Sequence, residues 1–239
     1  MKKLVLFDKI YNIPSEKQIK EIYVRYLKYL EEYTKSFPNT GIIIKKMRKF
    51  DNRFEILIQG PEEIFVYNLL KKEVGSIIPF NEIEVGKIYK GNLTEVGKYG
   101  FGLFADCAIF EPPVDVLISL KNLREQLCKG KKLSLREIVK IYDFIDHFPV
   151  TIEITKMDKI NQKLRGKFDD DTLEFYKKLT SEKLESVFVS GATKNQLKNA
   201  IIKTGHLRDI VSIERYGFFE QLAILKKTTE ATGIISEIG

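Results

Sequence analysis

VGKYGFGLFADC, residues 96–107, packs three glycines, one tyrosine and two phenylalanines into twelve positions. Neither an ordinary helix nor an ordinary core strand favours that mixture. A barrel strand that must coil sharply places glycine at its bends and bulges, because only glycine reaches the required dihedrals without a Cβ penalty. Gly91, Gly97, Gly100 and Gly102 stand at such positions. Aromatic side chains displayed on a curved sheet are platforms on which the bases of a single strand stack, at about 1–3 kcal/mol per base. Tyr99 and Phe101 are the candidates.

Outward from this stretch the pattern lengthens. Val85-Gly86, Gly91-Asn92-Leu93, Tyr99-Gly100-Phe101-Gly102 and Leu117-Ile118-Ser119 follow in order, and after an interruption VTIEITKMDKINQKLRGKF (150–168) adds two strands turning at Asp158. The segment resembles the S1-type RNA-binding OB domain. The resemblance implies a five-stranded barrel, RNA as partner, no cofactor and no bound metal, with Tyr99 and Phe101 against bases. Two positions depart from the family pattern: its second aromatic falls on Gly102, and Leu117 stands where a histidine is common. Phe101 can substitute only if a bulge at Gly100 or Gly102 turns it outward. Lys163, Arg165 and Lys167 alternate along the last strand and share one face, which suits phosphate contacts. The layout of the whole chain looks like an archaeal family of functionally uncharacterised proteins.

The interruption, residues 120–147, reads as a helical insertion. Ser119 caps one helix, Gly130 closes it, and Ser134 with Glu137 forms a capping box for a second. Leu123, Leu127, Leu135, Ile138 and Ile141 recur on its apolar side. Lys129, Lys131 and Lys132 cluster at the corner between the helices, where they could dock a phosphate backbone or simply keep the hairpin hydrated. Replacing residues 121–147 by a short linker is expected to leave the barrel folded, since loop closure costs little.

The flanks share an order. At the N-terminus LVLF, a helix opened by Pro14-Ser15 with Gln18, GIIIKKM, RFEILIQG and a helix from Pro61-Glu62-Glu63 to Gly75 give βαββα. At the C-terminus SVFVSG, a helix capped by Thr193 and Gln196 and closed by Gly205, DIVSIERY, EQLAILKK and ATGIISEIG repeat it. The expected fold class is therefore α+β: a central S1-like OB barrel with a helical insertion, flanked by two small ferredoxin-like units. The boundaries are 1–81, 82–170 and 171–239. Each flank is small enough to be marginal alone, so the two are expected to pack against each other.

Composition narrows the function. The 239 residues carry 44% hydrophobic and 31% charged side chains, an ordinary globular balance, and 40 basic against 33 acidic residues leave a formal charge of +7, compatible with a polyanionic partner. Two cysteines, Cys107 and Cys128, and two histidines, His147 and His206, form no zinc-spaced set. No run approaches membrane-spanning length, and the N-terminus lacks a cleavable signal, so a cytoplasmic protein without a membrane partner is expected. No phosphate loop or dinucleotide fingerprint is present. Asp169-Asp170-Asp171 could hold a divalent cation, but acids at a helix start are stabilising without one. The first reading is a non-catalytic protein binding ribosomal or other structured or single-stranded RNA in translation or RNA metabolism. The alternatives are an interaction module for ribosomal or RNA-polymerase proteins, and a metal-dependent RNA-processing nuclease built on Asp169 to Asp171.

Overall fold

The computed structural model describes residues 1–11, 15–182 and 185–238. Pro14, expected at the start of the first helix, Leu184, before the C-terminal unit's first strand, and Gly239, at the end of the last helix, lie outside the described residues.

The chain opens with β1 (Lys2–Lys9), α1 (Glu16–Thr34), β2 (Gly41–Met47), β3 (Arg53–Gln59) and α2 (Glu63–Glu73). The strands form an antiparallel sheet in the order β1-β3-β2. Gln18 accepts the Ser15 backbone N–H at 2.9 Å, fixing the start of α1. Asn52 takes a positive φ in the tight turn between β2 and β3, as an Asp-Asn turn favours. Both helices cover one sheet face, where Leu6, Tyr26, Leu30, Phe54, Ile56, Ile58, Val66 and Leu70 are fully buried.

A short parallel pair follows, β4 (Ile78–Pro79) with β7 (Ile109–Phe110), tying the linker to the barrel. The barrel comprises β5 (Ile88–Thr94), β6 (Gly102–Asp106), β8 (Val116–Ser119), β9 (Pro149–Asp158) and β10 (Lys163–Phe168), closed in the order β10-β8-β6-β5-β9. Its β8–β10 pairing is parallel and the rest antiparallel, which gives an OB-like barrel. Inward residues alternate: Leu93, Leu103, Ala105, Val116, Ile118, Ile152, Ile154, Leu164 and Phe168 fill the interior. Gly166 faces inward where Ile152 and Val116 press close, so that any side chain there would collide with both.

The insertion folds as α3 (Leu120–Leu127) and α4 (Leu135–Tyr142), capped by Ser119 and Ser134 as expected. It is not a detachable arm. Leu123 and Ile138 are fully buried in the barrel's own core, with Leu127, Leu135 and Phe144 beside them. Asn122 donates to the Gly166 carbonyl at 3.0 Å, and the Gln126 amide donates to the Phe168 carbonyl at 2.7 Å and accepts its N–H at 3.1 Å. The hairpin closes one end of the barrel, and its removal would expose that core. Ile141, placed on the apolar side by periodicity, is 46% exposed.

After α5 (Asp170–Glu182) come β11 (Ser186–Ser190), α6 (Lys194–Lys203), β12 (Ile210–Arg215), β13 (Glu220–Leu225) and α7 (Ala231–Ile238), with sheet order β11-β13-β12. This mirrors the N-terminal sheet. The flanks do meet: Phe218 and Phe219, in the β12–β13 turn, are buried in the N-terminal core against Tyr26, with ring centroids 4.9 and 5.9 Å away. Leu222 from the same hairpin joins the barrel core. Among the described residues no helix is long and apolar enough to cross a membrane.

Candidate nucleic-acid interface

The outer barrel face is organised by strand register. Phe104 on β6 stands opposite Leu117 on β8, Leu117 opposite Arg165 on β10, and Arg165 opposite Lys156 on β9. One row thus runs from an aromatic ring through an aliphatic side chain to two cations. Each neighbouring step is one strand spacing, about 4.8 Å.

Tyr99 and Phe101 lie beside the aromatic end of this row. Their centroids are 5.6 Å apart, and that of Phe104 lies 5.4 Å from Tyr99 and 5.9 Å from Phe101. The two contacts to Phe104 are edge-on, a favoured aromatic geometry. Phe101 is 54% exposed, and its carbonyl accepts the Leu120 N–H at 2.8 Å, which pins the backbone beneath the ring. Gly102 explains the departure from the family pattern. A Cβ there would strike the Ile118 carbonyl and lie 2.8 Å from Leu117 Cδ1, so Leu117 occupies the space an aromatic at 102 would need. The aromatic character moves to Phe101 before it and Phe104 after it. Lys98 sits 5.3 Å over the Tyr99 ring and pairs with Glu95, which holds the Glu95 carboxyl below its ordinary value.

Of the three basic residues expected on β10, all face outward but they differ in company. Arg165 is exposed and faces Lys156; Lys163 is exposed opposite Asp158; Lys167 is half-buried and pairs with Glu153 at 3.0 Å. The Glu153 partner reduces what Lys167 can offer a phosphate. Lys129, Lys131 and Lys132 are exposed at the α3–α4 corner. Because α3 bonds Gly166 through Asn122 and Phe168 through Gln126, it runs with β10 and carries this corner away from Lys163. The corner lysines and the aromatic cluster are two places, not one.

Phe104 and Lys156 went unnoticed in the sequence. Phe104 was legible, since 102 and 104 share a strand face. Lys156 was not: alternation from Val150 points it inward, and only the register shift between Arg165 and Gly166 re-phases β9 so that Lys156 stands beside Arg165.

Asp169 and the two histidines are accounted for locally, while Asp170 and Asp171 are exposed on α5. Asp169 accepts the Thr172 N–H at 2.9 Å and the Thr151 hydroxyl at 2.5 Å, capping α5 and tying it to β9. His147 stacks on Tyr11 at 3.6 Å, and His206 sits between Asp209 at 2.9 Å and Glu237 at 3.0 Å.

No curated protein matches this chain. Among solved structures it is similar to the uncharacterized protein MJ1198 from Methanocaldococcus jannaschii, at 18% identity over 37% of this chain and 96% of that one, with a TM-score of 0.26. It is also similar to GSP13 from Bacillus subtilis, at 16% identity over 36% of this chain and 56% of that one, with a TM-score of 0.27. A third likeness is to the K3L protein of vaccinia virus (Wisconsin strain), at 15% identity over 36% of this chain and 89% of that one, with a TM-score of 0.25. Residues 83–180 match the DUF2110 central domain and residues 184–239 the DUF2110 C-terminal domain, two matches that follow one another along the chain.

Proposed function

We propose that the protein is a non-catalytic binder of single-stranded RNA that uses the outer face of β6, β8, β10 and β9. The observation that carries this reading is the cross-strand row from Phe104 through Leu117 to Arg165 and Lys156, with Tyr99 and Phe101 at its aromatic end. Rings supply stacking surfaces that any base can use, and the adjacent guanidinium and ammonium supply phosphate contacts at strand spacing. On this reading Lys163 extends the cationic end, and the flanks, as truncated ferredoxin-like halves, buttress the barrel. The RNA is ribosomal or another RNA with exposed single-stranded segments, met in translation or RNA metabolism. Fluorescence anisotropy of labelled single-stranded RNA, titrated with the full chain across a salt series, tests it. Binding that weakens as salt rises is the expected outcome, because phosphate contacts release counterions. Folded protein that leaves the anisotropy unchanged at low salt overturns it.

A further inference from the structure

On the opposite side of the barrel, where β1, α1, β5, β9, α5 and the β12–β13 turn converge, lies a cavity of about 410 Å³. That is within the range of roughly 300–1,000 Å³ typical of small-molecule sites. Its wall is aromatic, with Tyr11, Tyr29, Phe148, Phe175 and Tyr216 around it. Lys9, Glu73, Lys90 and Asp171 are among its charged lining residues, and its two buried carboxyl groups come from different units, Asp8 on β1 at 8% exposure and Glu220 on β13 at 5%.

The two acids are not equally satisfied. Asp8 accepts the Tyr26 hydroxyl at 2.6 Å. The Glu220 carboxyl borders the cavity with no side-chain hydrogen-bond partner and no ion pair among the described residues; its polar neighbours are the backbone N–H groups of Phe219 and of Glu220 itself. Two of the nearby cations are committed elsewhere: Lys9 pairs with Asp106 at 3.0 Å, and the Arg215 guanidinium lies 4.4 Å over the Tyr29 ring, with its Nε on the Gly217 carbonyl. Lys90 is exposed where it lines the cavity. Burial, followed by the neighbouring Asp8 charge, pushes the Glu220 carboxyl up to about 8. Burial likewise raises Asp8, against the Tyr26 hydrogen bond and the charges of Arg215, Lys90 and Arg53.

With Lys9 held by Asp106 and Lys90 exposed, neither lining lysine is hydrogen-bonded to the two buried acids, and the aromatic wall favours a positive charge with an organic body. A bare divalent ion is a poor fit, because magnesium and calcium require six or more oxygen ligands and no group of three or more His, Cys, Asp or Glu side chains among the described residues is placed to hold a metal. An anion would meet two carboxyl groups. An alkylammonium group, by contrast, can donate to Glu220 and Asp8 while its carbon chain and charge lie against the rings, the geometry of cation–π recognition. We propose that this three-unit cavity binds a small organic amine in its cationic form, with Glu220 as principal anchor and Asp8 as the second.

The groups facing Glu220 are Asp8 and Arg215 together with Tyr11 and Tyr26. None supplies a competing hydrogen-bonded cation, so the incoming ammonium is the group that ionises Glu220, and binding near pH 7 releases a proton. Isothermal titration calorimetry of the full chain with 1,4-diaminobutane and with phenethylamine tests this, with 1,4-butanediol as the uncharged control. The expected result is saturable binding of at least one amine, none of the diol, and an apparent enthalpy that shifts with the buffer's ionisation enthalpy. Glu220→Gln should weaken amine binding at least tenfold, and its thermal melt reports whether the variant is folded. Asp8→Asn, read the same way, should weaken binding less. Failure of both amines to bind at millimolar concentration, equal binding of the diol, or full affinity in folded Glu220→Gln would each overturn the proposal. None of these outcomes bears on RNA binding, which uses the other face.

Discussion

Truncating Ile138 to alanine should destabilise the barrel severely, although Ile138 belongs to an insertion that sequence reading would remove without harm. Ile138 is fully buried in α4 among the barrel core residues. The substitution deletes three carbon atoms from a packed interior, about 2.4 kcal/mol at ~0.8 kcal/mol per buried methylene, and the cavity left behind raises the cost to about 2–5 kcal/mol. Ile141, one turn on and 46% exposed, provides the internal control. Its truncation should cost no more than about 0.5 kcal/mol. Guanidinium unfolding followed by far-ultraviolet circular dichroism compares the two, since the chain has no tryptophan to report by fluorescence. Adding Leu123→Ala to Ile138→Ala should approach the whole stability of an ordinary domain, about 5–15 kcal/mol, so the double variant should be largely unfolded. If Ile138→Ala and Ile141→Ala shift the midpoint equally, burial in α4 does not report membership of the barrel core and the hairpin is an appendage after all.

On the proposed RNA face, Phe104→Ala should weaken binding by about 1–3 kcal/mol with little change in salt dependence. Arg165→Ala with Lys156→Ala should instead flatten the salt slope, by roughly 0.7 for each phosphate that the pair neutralises. Asp106 joins the N-terminal unit to the barrel through Arg53 at 2.8 Å and Lys9 at 3.0 Å. Burial alone would raise its carboxyl, but the two cations hold it below the ordinary value. Asp106→Ala should cost up to about 3–5 kcal/mol because buried Arg53 loses its closest carboxylate and keeps only Asp51 at 3.8 Å; a thermal melt should show most of that loss recovered when Arg53→Met is added. Glu220 supplies the pH prediction. Its folded value of about 8 lies above its ordinary 4.5, so between these limits the folded chain holds a proton that the unfolded chain has released. Stability should therefore fall as pH rises through that window, by up to about 1.4 kcal/mol per pH unit, and chemical denaturation of Glu220→Gln should show a shallower slope.

Much of the fold was legible because its signals are local. Ser15 with Gln18, Ser134 with Glu137 and Thr193 with Gln196 all form the capping bonds their spacing predicts, and Gly75, Gly130 and Gly205 all close helices at positive φ. Of the four glycines read as strand bends, Gly91 and Gly102 lie in barrel strands, where close neighbours leave no room for a Cβ and φ is not positive, while Gly97 and Gly100 lie in the β5–β6 connection with open space where a Cβ would stand, Gly97 at positive φ. What escaped was set by register and by packing across units. Lys156 reaches the outer face through a shift in β9 that no alternation rule encodes. Asp8 and Glu220 are more than two hundred positions apart in sequence, and only the packing of two sheets brings them to one cavity.

The same packing divides the barrel surface. Gly91 and Asn92 on β5 and Pro149 to Thr151 on β9 face the cavity between the flanks. Asp106, at the end of β6, is locked to the N-terminal sheet by Arg53 and Lys9. Phe218 and Phe219 seal the C-terminal hairpin into the N-terminal core, while Leu222 and Phe188 pack on the barrel. The flanks therefore cover the β5 side and the Pro149 to Thr151 end of β9, and leave open the face of β6, β8, β10 and the Lys156 end of β9 that carries Phe104, Leu117 and Arg165. A ligand that fills the cavity would stiffen the support of β5 and β9 without touching the open face. Coupling between amine and RNA has two strands to travel: β9, whose Pro149 to Thr151 end lines the cavity and whose other end presents Lys156 beside Arg165, and β5, whose Gly91 and Asn92 line the cavity and whose Thr94 stands opposite Phe104.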